Sequence, residues 1–110
     1  MERRKSPRMF ANMPMEYHVH LLDSDEYSTG KGFLANISQG GIYFKCPPPL
    51  SLEDGNIGDF TIDLSSSSGL SNSRLKVSAR VARIEPPEKT SLDFGIAVQF
   101  LSDLKVELRR

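Results

Sequence analysis

A chain of 110 residues suits a single domain and can bury a core without disulfide or metal staples. Its 14 basic and 14 acidic side chains cancel, which argues against a general binder of nucleic acid polymers, a class that needs a basic excess. One cysteine, Cys46, rules out an internal disulfide, and no apolar run approaches the ~20 residues of a membrane span, so a soluble protein of the reducing cytoplasm is expected, with no signal peptide and no membrane insertion.

Residues 1–14 read as a charged arm, broken by Pro7 and Pro14. Arg3, Arg4, Lys5 and Arg8 gather there with no acid among them, a cluster short enough for a small anion. From residue 15 the pattern has period two. Tyr17, Val19 and Leu21 alternate with His18 and His20, which predicts a half-buried strand. A polar turn at Asp23–Glu26 leads to a second strand over roughly 29–38, with Phe33, Ala35 and Ile37 expected inward and Asn36 and Ser38 outward. Gly40 and Gly41 close the turn that follows, and Ile42–Cys46 form a third strand that ends at Pro47–Pro49.

Phe60, Ile62 and Leu64 mark a fourth strand, and a serine-rich connector spans 65–73. Leu75, Val77, Ala79 and Val81 mark a long fifth strand, and Phe94, Ile96, Val98 and Phe100 a sixth. Ser102 sits where a helix N-cap belongs, and Leu104 and Leu108 share a helical face, so a short C-terminal helix at about 102–110 is expected. Six alternating strands point to an all-β antiparallel barrel or sandwich, with residues 15–110 as its one domain.

Two short patterns stand out: Arg4-x-x-x-Arg8 in the arm and Asn36-x-Ser38-x-x-Gly41 at the second turn. Each alone reads as a solvated tail or an ordinary β-turn. Together, in this order and on this strand background, they resemble the PilZ family of bacterial cyclic di-GMP receptors. Phe94–Phe100 also looks like that family's last strand and Ala79–Arg83 like its fifth. The resemblance covers nearly the whole chain. It implies a six-stranded antiparallel β-barrel with a C-terminal helix, and a ligand site made by Arg4, Arg8, Asn36, Ser38 and Gly41, with Arg3 and Gly40 as further contacts. Arg3, preceding the motif, resembles members that take an intercalated pair of ligands.

Arginine suits such a ligand, since its fork matches phosphate oxygens or the O6/N7 edge of guanine and its flat face stacks on purines. Asn36 stands where many members have Asp, so the site lacks a carboxylate at that position. The resemblance further implies relay of the signal to an unidentified protein effector by ordering of the arm, and allows a ligand-linked dimer. No catalytic constellation, metal cluster or phosphate-cradling glycine loop is evident, so a receptor rather than an enzyme is expected, with no cofactor and no metal. His18 and His20 read as an exposed pair, and Cys46 as a small buried thiol. The rival readings are a barrel of the same fold that adapts proteins without binding nucleotide, a barrel for single-stranded nucleic acid, which needs exposed aromatics on a basic face, and a hydrolase.

Overall fold

The computed structural model describes residues 13–48, 50–64 and 73–108. These form seven strands: β1 (Pro14–His20), β2 (Tyr27–Ile37), β3 (Gly41–Cys46), β4 (Ile57–Asp63), β5 (Ser73–Glu85), β6 (Phe94–Phe100) and β7 (Lys105–Leu108). Every pairing is antiparallel. The order β4-β1-β2-β3-β6-β5 closes on itself through a β4–β5 ladder, which makes a six-stranded barrel. Closure leaves those strands without the exposed edges that an open sheet would present.

The alternation seen in the sequence fills the barrel. Phe44, Phe60, Leu34, Ile62, Ile96, Val19 and Val81 are fully buried. Tyr17, Phe44 and Phe60 meet at its centre, with ring centroids 6.0–6.4 Å apart and tilted planes. Such a large apolar payload at the axis contributes about 2–3 kcal/mol per ring through burial alone. Tyr17 keeps its hydroxyl satisfied by Ser51 Oγ at 2.9 Å. Asn56 is wholly buried at the entry to β4: its Oδ1 accepts from Glu53 N at 2.7 Å and its Nδ2 donates to the His20 carbonyl at 3.3 Å. Its backbone oxygen accepts from Val81 N, so one side chain and one carbonyl tie β1, β4 and β5 together.

Two expectations are corrected. No helix occurs among the described residues, and the segment expected to be a helix carries β7 instead. Ser102 does not cap a helix; its Oγ accepts from Ser78 N at 3.1 Å. An isolated helix of so few residues is marginal in water. The first half of β5, meanwhile, pairs with β4 on one side only and needs a second partner. Lys105–Leu108 supplies it, opposite Ser73–Lys76.

The second correction concerns β2. Phe33 is 49% exposed rather than inward, while Leu34 is buried. Leu34 lies opposite Phe44 and Asn36 opposite Tyr43, so Ala35 is an extra residue in a β-bulge. A second bulge lies in β5, where Val81 faces Val98 and Arg83 faces Ala97, leaving Ala82 extra. Each bulge resets which side chains face out.

Candidate ligand-binding site

The two bulges flank the central β3–β6 pair and aim polar side chains over it. Asn36, Tyr43, Ala97 and Arg83 form one lateral row across β2, β3, β6 and β5. Without the bulge at Ala35, Asn36 would take the inward parity of Leu34; with it, Asn36 faces solvent. Arg83 owes its outward aim to Ala82 in the same way.

The row lines an open hollow of about 470 Å³ that also includes Ser38, Gly41, Glu85 and Gln99. Three of the residues expected from the sequence, Asn36, Ser38 and Gly41, thus share one surface, and Gly40 joins them. Arg3, Arg4 and Arg8 lie outside the described residues. A neighbouring hollow of about 580 Å³ shares Ser38, Gly40 and Gln99 and runs toward Leu104.

The turn is held mainly by its backbone. Ser38 N donates to the Gly41 carbonyl at 2.9 Å, and Phe100 N to the Gly40 carbonyl at 2.9 Å. The Ser38 hydroxyl makes a longer contact, 3.4 Å, to the same Gly41 oxygen. A Cβ on Gly41 would run into the Val98 carbonyl of β6, so glycine there permits close strand approach. A Cβ at Gly40 would meet nothing within 4 Å. Gly55 is the one described glycine with positive φ, so neither glycine of the 38–41 turn is left-handed.

The floor of the hollow is a polar network that the sequence did not announce. Tyr43 lies over Gly95, where any Cβ would strike its phenol oxygen. From there Tyr43 Oη donates to Glu85 Oε1 at 2.8 Å. Arg83 Nε donates to Glu85 Oε2 at 2.8 Å. Lys45 Nζ stands 3.5 Å from Tyr43 Oη and 5.3 Å from its ring centroid. The hydrogen bonds from Tyr43 and Arg83 hold the Glu85 carboxyl below the ordinary glutamate value. Burial first, and then the bond to Glu85, raises the Tyr43 phenol. At neutral pH the pair is therefore a carboxylate and a neutral donor. Beside it, Arg80 Nη2 donates to Gln99 Oε1 at 2.6 Å, which places a further basic side chain of β5 next to Gln99 at the rim.

The signals for Tyr43, Arg83 and Glu85 were weak in the sequence. The carboxylate partner of Tyr43 lies 42 residues away in the chain. Arg83 and Glu85 take their facing from a bulge that no pattern marks.

Elsewhere, His18 and His20 flank the exposed Tyr27, one stacked at 4.6 Å and one edge-on at 5.0 Å. Cys46 is buried, and burial pushes its thiol up, away from thiolate. Among the described residues no helix is long and apolar enough to cross a membrane.

The family model of the PilZ domain matches residues 2–110. The chain belongs to the PilZ domain family, and the closed antiparallel barrel is the fold expected of it. PilZ domains are in general cyclic di-GMP effector domains, receptors and adaptors rather than enzymes. No curated protein and no solved structure matched the chain.

Proposed function

We propose that this chain binds cyclic di-GMP in the hollow beside the 38–41 turn and passes the signal to a protein partner through its N-terminal arm. In this reading Arg4 and Arg8 reach the ligand from the arm, with Arg3 adding charge, while Asn36, Ser38, Gly40 and Gly41 form the rigid side. The site needs neither a metal nor a cofactor, because binding rests on charge-assisted hydrogen bonds and stacking.

One observation carries the reading. The Met13 carbonyl accepts from Leu34 N at 2.8 Å, and Pro14 pairs with Phe33. The arm therefore joins the barrel beside β2, next to the bulge that turns Asn36 outward. Arg8 precedes Met13 by five residues, a reach of up to ~17 Å along extended chain. The attachment point of the arm at Met13 and the bulge that turns Asn36 outward thus lie side by side along β2.

Calorimetric titration with cyclic di-GMP tests this. Micromolar or tighter binding is expected, and Arg8→Ala should weaken it about ten- to a hundredfold, as loss of a charge-assisted contact does. Arg8→Lys should also weaken it, since the planar fork is lost. Amide exchange in residues 1–12 should slow at saturating ligand, the signature of an arm that orders on binding. A lysine variant that binds as well as the natural chain, or exchange that does not change, would contradict the reading.

A further inference from the structure

Among the described residues Glu85 is the one carboxylate lining the hollow, and the motif residues give it no role. It sits on β5, across β3 and β6 from Asn36. Two donors fix it from below and beside, Tyr43 Oη on one oxygen and Arg83 Nε on the other, each at 2.8 Å. Its side chain is still 43% exposed. Each carboxylate oxygen accepts more than one hydrogen bond, so both keep acceptor capacity for an incoming group.

The Watson–Crick edge of guanine presents two donors side by side, N1–H and the N2 amino group. A carboxylate meets both with its two oxygens. Asn36 cannot do so, because its amide has a single acceptor and its other atom donates. Adenine offers no such donor pair.

We propose that Glu85 is the guanine-reading carboxylate of this site, taking up at β5 the acceptor role that an asparagine at position 36 leaves unfilled. Tyr43 and Arg83 are its positioning residues; they keep the carboxylate oriented before ligand arrives, so little freedom is lost on binding. Arg83 and Lys45 also offset the negative charge that Glu85 would bring near the ligand's phosphates. This role rests on the cyclic di-GMP reading above.

The test compares cyclic di-GMP with cyclic di-IMP, which lacks the exocyclic amine, on the natural chain and on Glu85→Gln. The natural chain should prefer the guanine ligand by about tenfold or more. Glu85→Gln should weaken cyclic di-GMP by a similar factor and bind the two nucleotides within about threefold of each other. Tyr43→Phe, which frees the carboxylate but keeps it, should lose less affinity and retain the guanine preference. Should Glu85→Gln melt at a markedly lower temperature, Glu85→Asp decides, since it keeps the carboxylate and should keep the preference. Glu85→Gln that binds cyclic di-GMP like the natural chain, or that keeps the full preference, overturns the role of Glu85 alone. A natural chain that binds neither nucleotide overturns the underlying reading as well.

Discussion

Ser38 and Gly41 share one turn but carry different burdens. The Gly41 carbonyl already receives the Ser38 backbone N–H at 2.9 Å, so the hydroxyl, at 3.4 Å and exposed, adds little to the turn. Ser38→Ala should therefore shift stability by no more than about 0.5 kcal/mol, as surface changes usually do, while weakening cyclic di-GMP. Gly41→Ala should act the other way round. Its new methyl meets the β6 backbone at Val98, which cannot give way without loosening the β3–β6 ladder. A drop of about 1–3 kcal/mol is expected. Parallel thermal melts and titrations of the two variants separate them. A Ser38→Ala protein that loses its fold, or a Gly41→Ala protein that melts unchanged, would reverse these assignments.

At the scale of elements, β7 and the two bulges decide how the surface is laid out. Val106 is 65% exposed, and β7 is held by its ladder to Ser73–Lys76. Ending the chain after Leu104 should leave the six-strand barrel closed and cost about 2 kcal/mol, a few net backbone hydrogen bonds. The bare β5 edge should raise self-association, measured by light scattering beside the melt. A truncated chain that fails to fold would make β7 part of the barrel's foundation. The six barrel strands were legible because each alternates apolar and polar residues between polar turns or proline and glycine breaks. β7 was not, because four residues reading Lys-Val-Glu-Leu fit either period, and only the needy edge of β5 selects the strand. Phe33 was misplaced for a related reason. Residues 32–37 fit two parities, and the extra Ala35 switches between them mid-strand.

Across the whole molecule, the barrel brings side chains from β2, β3, β5 and β6 onto one face and roots the arm at the neighbouring edge. Half of that candidate site was readable in the sequence. Asn36, Ser38 and Gly41 lie within six consecutive residues, so local spacing reveals them. Tyr43, Arg83 and Glu85 meet only through the closure of the barrel, and no local spacing encodes that. The opposite face holds a competing hollow of about 490 Å³, lined by Glu16, Lys31, Asp59, Arg74 and Lys76 among others. None of Asn36, Ser38 and Gly41 lines it, whereas all three line the hollow beside the 38–41 turn. Isotope-edited NMR of the chain with bound cyclic di-GMP distinguishes the two faces directly. The account predicts ligand contacts to the Arg8 side chain and to Asn36 in the same complex. Contacts confined to the Glu16–His18 face, or to Asn36 with none to the arm, would contradict it.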